Sequence, residues 1–219
     1  MRIGVAVGLN SKLTDQSRAA APARIAGVAE HLGADVVAVA DDAWCRGLDV
    51  LRAIVLAEGL LSHREGGLWP GRTSEYRSDV RSHLEDAEAE PADRYRDAMA
   101  ARAQLDEDLA STFGRVDVLL SLSSGAGPAP IQVDPLDADF RRRVMAFTAP
   151  QSLAGFPSCT IRAGFDADDV PIGVQLTGLP GADFAVLDLA RELHAATVEM
   201  QRVRPALAER SSGFAPAQA

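Results

Sequence analysis

Lysine is almost missing from this chain: Lys12 is the only one among 219 residues, and the other strongly basic residues are arginines. Chemistry that needs a lysine, as a deprotonated base or as a nucleophilic amine, therefore has a single candidate. Cysteine is nearly as scarce. Cys45 and Cys159 lie far apart in sequence, giving neither a disulfide framework nor a zinc spacing, and are expected as two buried free thiols. None of the four histidines (His31, His63, His83, His194) has a second histidine four residues along, so no helix-borne metal site is expected. The net charge of −9 has the wrong sign for gripping phosphate backbones, which argues against nucleic acid. No apolar run approaches the ~20 residues that cross a bilayer, and the first residues lack the apolar core and cleavage site of a secretory leader. No membrane association and a cytoplasmic location are the expectations. Alanine and arginine usage points to a GC-rich bacterial coding sequence.

What is present is an ordinary globular composition, 47% hydrophobic and 24% charged, long enough to bury a sizeable core. Residues 2–7 read as a strand. Thr14 and Asp15 offer N-caps for a helix through His31, its regular part delayed by Pro22, and Gly33 closes it. Residues 34–40 make a Val-rich second strand, completing a β–α–β unit that seeds a parallel sheet. Residues 48–62 form a strongly apolar helix with one narrow polar stripe, which predicts burial on most sides. A turn-rich loop with Trp69 and Pro70 follows, then a weakly helical acidic stretch over 79–90. Next comes a helix opened by Pro91, with Leu105, Leu109 and Phe113 recurring every four residues. Residues 116–120 read as a third strand, 121–130 as a Ser/Gly/Pro loop and 139–147 as a helix carrying Arg141, Arg142 and Arg143. Beyond residue 147, Gly155 and Pro157 punctuate a loop, and residues 158–163 alternate apolar and polar. The acidic turn at Asp166, Asp168 and Asp169 bonds its own backbone, and Ile172, Val174 and Leu176 share one face of a return strand. An amphipathic helix over 182–203, with Leu187, Leu189, Ala190 and Leu193 apolar, ends the ordered part.

The hairpin region resembles the carboxyl-terminal part of the amidase signature family. Thr148, Pro150, Leu153, Ala154, Gly155, Pro157, Gly164, Phe165, Asp166, Pro171, Gly173 and Gln175 fall in register with that family's motif, and Ser152 stands where Asn is common. The likeness runs from residue 1 to about 203, most specifically over 116–190. It implies an α/β fold: a mostly parallel mixed sheet flanked by helices, with a carboxyl-terminal antiparallel hairpin. Residues 1–203 would be a partial amidase-like domain and 204–219 a flexible tail.

The resemblance also implies chemistry that this sequence does not carry. Members hydrolyse linear carboxamides through a Ser–Ser–Lys triad set in a Gly/Ser-rich signature, with backbone N–H groups as oxyanion hole and no metal or organic cofactor. No such signature occurs here, and Lys12 follows the first strand in a solvated-looking segment. Ser121, Ser123, Ser124, Gly125 and Gly127 mimic one, but by resemblance this loop lines the substrate cavity and holds no nucleophile. Ser121, Ser123, Ser124, Thr148 and Gln175 are therefore candidate cavity residues, with no catalytic residue and no metal ligand assigned. For Thr148 and Gln175 the plain alternative is hydrogen bonding within the hairpin region. Arg141 to Arg143 could bind an anion, the plain alternative being a solvated helix face, and for His63 beside Glu58 and Glu65 the plain reading is an exposed ion pair. The acids Asp134, Asp137 and Asp139 read as a helix start.

The functional expectation is an amidase-like chain, inactive alone: a truncated product, or one part of a split amidase. Its partners would be a separately encoded amino-terminal half or further copies of itself, with a small amide or acid as ligand. A non-catalytic binding or regulatory module that keeps the cavity wall is the second reading. A self-sufficient hydrolase built on residues 121–127 is the third.

Overall fold

The computed structural model describes residues 1–12, 14–91, 93–129 and 137–198, apart from the side chains of Ser11 and Lys12. Five strands form one sheet: β1 (Arg2–Ala6), β2 (Asp35–Val39), β3 (Val118–Leu122), β4 (Ser158–Phe165) and β5 (Pro171–Thr177), in the order β2-β1-β3-β5-β4. β1 pairs in parallel with both β2 and β3, whereas β5 runs antiparallel to its neighbours β3 and β4. Four strands thus point one way and β5 alone opposes them. The expected mixed, mostly parallel α/β sheet with a terminal hairpin is what the chain forms.

The helices are α1 (Gly8–Lys12), α2 (Ala21–His31), α3 (Asp42–Glu65), α4 (Ser78–Ala89), α5 (Asp93–Thr112), α6 (Ala138–Met145), α7 (Ala149–Ala154) and α8 (Asp183–Ala196). α2 packs on all five strands and on α8, which covers β4 and β5. α3, α5 and α7 pack on one another, and Trp44, Phe113 and Phe156 meet between them with ring centroids 5.6–6.2 Å apart. α3 and α7 touch so closely that a Cβ on Gly47 would lie 2.9 Å from the Pro150 Cα, so only glycine fits there. The main core holds Ile3, Leu9, Ile25, Trp44, Leu109, Leu119, Leu120, Leu122, Phe147, Ile172, Val174, Leu176 and Leu193, all essentially inaccessible. Each such aliphatic or aromatic side chain contributes roughly 1.5–3 kcal/mol by leaving water.

Several local expectations need correction. Thr14 and Asp15 cap no helix: α2 begins at Ala21 with Pro22 in its first turn. Thr14 Oγ1 instead donates to the Leu9 carbonyl, and Asp15 accepts from Arg143 Nη1 at 2.6 Å. The apolar helix expected over 48–62 is longer, Asp42–Glu65, and less buried, because Val55 and Leu61 face solvent. Residues 149–154, read as loop, form α7. Pro150 sits in its first turn and Gly155, at φ +70°, ends it, so these two residues delimit a helix rather than break one. Leu187 is exposed, and both thiols are half-buried rather than buried. The arginine cluster is not a bare solvated face. Arg141 contacts His83, Arg142 lies 3.5 Å from Asp49, and Arg143 pairs with Asp15 and Asp139. His63 Nδ1 meets the Tyr76 hydroxyl at 2.7 Å rather than a carboxylate. Asp137 is the N-cap of α6 and accepts from Phe140 N at 2.9 Å, whereas Asp134 and the tail over 204–219 lie outside the described residues. Among the described residues no helix is long and apolar enough to cross a membrane.

Candidate functional site

Open α/β sheets ordinarily bind ligands beyond the carboxyl ends of their strands, at the point where strand order reverses. Here that point lies between β1 and β3, and α1 fills it. Asp41, 2% exposed at the end of β2, accepts from Gly8 N and Leu9 N, so the short helix is seated by a buried carboxylate. Asn10 then reaches across, its Oδ1 accepting from Leu122 N at 3.0 Å and its Nδ2 donating to the Ala6 carbonyl.

The serine loop after β3 is held on every side. Ser123 N donates to the Gly173 carbonyl at 3.0 Å, Gly125 N to the Arg143 carbonyl at 3.0 Å, and Asp15 N to the Gly125 carbonyl at 2.8 Å. Ser124 folds back on its own loop: its Oγ donates to the Ala126 carbonyl at 2.7 Å and accepts from Ala126 N at 3.3 Å. The N–H groups of Leu122, Ser123, Gly125 and Ala126 are therefore engaged, and an oxyanion hole needs donors left open for the reacting oxygen. No base touches Ser121 or Ser124 among the described residues. Ser121 Oγ donates to the Leu122 carbonyl at 3.1 Å and accepts from Gln175 Nε2 at 3.1 Å.

Gln175 is the centre of the polar network. It is 3% exposed, and Nε2 also donates to the Phe147 carbonyl, tying the segment before α7 to the sheet. Its position follows from strand alternation. Ile172, Val174 and Leu176 fill the apolar face, which turns Gly173, Gln175 and Thr177 to the other. Cross-strand register aligns Ser158, Thr160 and Arg162 of β4 with Thr177, Gln175 and Gly173, and Leu119 and Ser121 of β3 with Thr177 and Gln175. The result is a mostly polar face shared by three strands. Gln151 of α7 reaches down to it, its Nε2 3.4 Å from Thr177 Oγ1, and the Thr177 and Ser158 hydroxyls share a 2.9 Å hydrogen bond. Gly173 leaves room here for Ser123, since a Cβ would fall 2.3 Å from Ser123 Oγ and force that hydroxyl to move.

The five sequence candidates thus separate. Ser121 and Gln175 are bonded to each other, and Ser123 lies beside them over Gly173. Ser124 is turned into its own loop, and Thr148 lies exposed before α7, its hydroxyl 3.4 Å from the Met145 carbonyl. Gln151, Ser158, Thr160 and Thr177 belong to the same face and were not singled out from sequence. The period-2 pattern of each strand carried the signal, but the register between the strands did not follow from it.

A second buried device holds the hairpin turn. Arg18, 4% exposed, donates from Nη1 to Asp166 Oδ2 at 3.0 Å and from Nη2 to the Pro171 carbonyl at 3.2 Å. Asp166 Oδ1 in turn accepts from Asp168 N and Val170 N, both at 3.0 Å, so one carboxylate organises the turn and neutralises the guanidinium. A depression of about 400 Å³ lies away from all this, at the amino ends of the strands, lined by Arg2, Asp35, Phe113 and Asp117 among others. Its charges satisfy one another: Arg2 Nε meets Asp35 at 3.0 Å and Arg2 N meets Asp117 at 2.7 Å. No group of three or more His, Cys, Asp or Glu is arranged to hold a metal ion among the described residues.

Comparison with known proteins places this geometry. The chain is 37% identical over 89 residues to the glutamyl-tRNA(Gln) amidotransferase subunit of Gluconobacter oxydans, covering 38% of this chain and 18% of that protein. It is 30% identical over 125 residues to the fatty acid amide hydrolase of Arabidopsis thaliana, covering 55% of this chain and 21% of that one. Among solved structures, an amidase crystal structure matches with a TM-score of 0.76 at 23% identity, over 89% of this chain and 45% of that chain. The glutamyl-tRNA(Gln) amidotransferase subunit of Thermotoga maritima matches at 0.66 and 23% identity, over 87% and 41%. The structural likenesses speak for the fold. This chain spans about a fifth of the length of these curated relatives and less than half of these solved chains. The Amidase family model itself matches residues 1–187, and the chain belongs to that family.

Proposed function

We propose that this chain supplies the cavity-wall part of an amidase and hydrolyses carboxamides only together with an amino-terminal part that carries the Ser–Ser–Lys set. In the complete site a serine attacks the carboxamide carbon, the C–N bond breaks as ammonia or an amine leaves, and water releases the acid from the acyl-serine. This chain's share is the polar face around Gln175 and the adjoining loop Ser121–Ser123–Ser124, with Thr148 at the margin. The observation that carries this reading is the state of the serine loop. Its hydroxyls at 121 and 124 and four of its N–H groups are consumed by internal bonds, which suits a wall and not a nucleophile. Absence of the Gly/Ser signature from the sequence supports the same view.

The test is an assay of the purified 219-residue chain on a panel of linear amides, reading released ammonia. No turnover is expected from the chain alone, and turnover is expected when an amino-terminal amidase fragment is co-expressed. Turnover by the chain alone that disappears in Ser123→Ala or Ser124→Ala would overturn the proposal and make the loop an active site. Saturable binding of an amide or acid, without turnover in either setting, would replace it with a binding module.

A further inference from the structure

Helix α8 has two faces of different character. Val186, Leu189, Ala190 and Leu193 are buried on the side that packs against β4, β5 and α2. The opposite face is exposed and begins with Phe184, which at 82% is the most exposed large hydrophobic side chain among the described residues. Spacings of four, three and four residues lead from it to Asp188, Arg191 and Ala195, which places all four along one stripe of an α-helix. Leu187, also exposed, widens the apolar end of the stripe beside Phe184. Asp188 and Arg191 meet at 2.9 Å, yet their side chains stay 69% and 76% exposed, so both keep room for a second partner. In chain order the stripe reads aromatic, acid, base, small.

We infer that the outer face of α8 is a self-association surface, on which a second copy of this chain docks through its own α8, antiparallel and about a two-fold axis. The order of the stripe carries the inference. Reversed, it reads small, base, acid, aromatic, so each member meets its complement. Phe184 covers Ala195 of the second copy, and Asp188 faces Arg191 of the second copy. One register serves both contacts, because 184 with 195 and 188 with 191 share the same midpoint. Each contact occurs twice by symmetry, as in any isologous interface. The small Ala195 leaves the space that the Phe184 ring fills, and the two intrahelical pairs merge into one cluster of alternating charge. A partner of one charge sign would meet repulsion at either Asp188 or Arg191, whereas a second copy presents both signs in matching places. A contact of two helices is at the small end of specific interfaces, so the dimer is reversible rather than permanent. The inference is independent of the proposed function.

The experiment follows the mass of the whole 219-residue chain by sedimentation velocity over a wide concentration range. The parent is expected to rise reversibly from 23.1 kDa toward twice that value. Phe184→Glu, Asp188→Arg and Arg191→Asp, each checked for an unchanged melting temperature, are expected to weaken association about tenfold or more. Val55→Glu, at an exposed apolar position on α3, is expected to associate as the parent does. Asp188→Arg and Arg191→Asp each set like charges against each other across the axis. Mixing these two variants brings opposite charges back to both contacts and is expected to recover a mixed dimer. A parent that stays monomeric at every concentration would overturn the inference and leave this face to another occupant. Association that persists in Phe184→Glu, that is lost in Val55→Glu, or that mixing the charge variants fails to restore would overturn it as well, because the copies would then meet elsewhere or in another register.

Discussion

The terminal hairpin and the excursion between α3 and α5 are both helped by arginine–carboxylate pairs, yet the pairs work differently. In the hairpin, Arg18 and Asp166 have side chains only 5% and 11% exposed, and the carboxylate also organises two backbone N–H groups. In the excursion, Leu60, Trp69, Leu84 and Ala87 make a small separate core, and pairs such as Arg64–Glu88, Arg77–Asp79 and Arg81–Glu85 line its solvent side. Exposed pairs gain little because water screens them and two flexible side chains must be ordered. A buried pair contributes little net energy as a unit, but removing one member strands a charge in a low-dielectric site. Loss of Arg18 or Asp166 alone is therefore costly to the hairpin, while loss of one member of an exposed pair costs the excursion little.

The largest expected break in this contrast is Arg18→Ala, which leaves Asp166 buried without its partner. It is expected to cost about 3–5 kcal/mol in urea unfolding, whereas Arg81→Ala in the excursion should cost no more than about 0.5 kcal/mol. Equal effects would mean that burial does not separate the two regions. Next is Gln175→Ala, which removes the side-chain donor to the Phe147 carbonyl and to the Ser121 hydroxyl and should cost roughly 1–3 kcal/mol. Thr148→Ala, at an exposed hydroxyl, should stay within about 0.5 kcal/mol by the same measurement. The smallest effect is a pH dependence in the excursion. Trp69 Nε1, facing the carboxylate outside normal hydrogen-bond geometry, and then Arg64 hold the Glu88 carboxyl below its ordinary range. A carboxyl lower in the folded than in the unfolded state stabilises above the unfolded value, about 4.3, and loses that stabilisation as pH falls through the folded value. Glu88→Gln should therefore be slightly less stable than the parent at neutral pH and converge with it in acid, and added salt should shrink the difference. A gap that widens in acid would reverse the assignment.

Much of the architecture was legible in local pattern. Alternation of Ile172, Val174 and Leu176 with Gly173 and Gln175 identified β5 and its two faces, and the acidic turn at Asp166 to Asp169 bonds its own backbone as its composition implies. Punctuation was harder to read. Pro150 and Gly155 mark a loop and a short helix equally well in sequence, and only the packing of α7 on α3, with Gly47 under Pro150, selects the helix. Likewise Thr14 and Asp15 have good capping chemistry, but Asp15 is held instead by Arg143, 128 residues away in sequence.

The candidate site shows the same division. Ser121, Ser123 and Gln175 came forward through the resemblance of residues 116–190 to the family motif, because motif spacing is a local property of the chain. That Gln175 spends its amide on Ser121 and Phe147, and that Gln151, Ser158 and Thr177 join the same face, were decided by tertiary structure. Alternation tells which residues of one strand share a face, but not which residue of the next strand stands opposite. That register is set by long-range backbone pairing and core packing, whose free energy belongs to no single segment of the sequence.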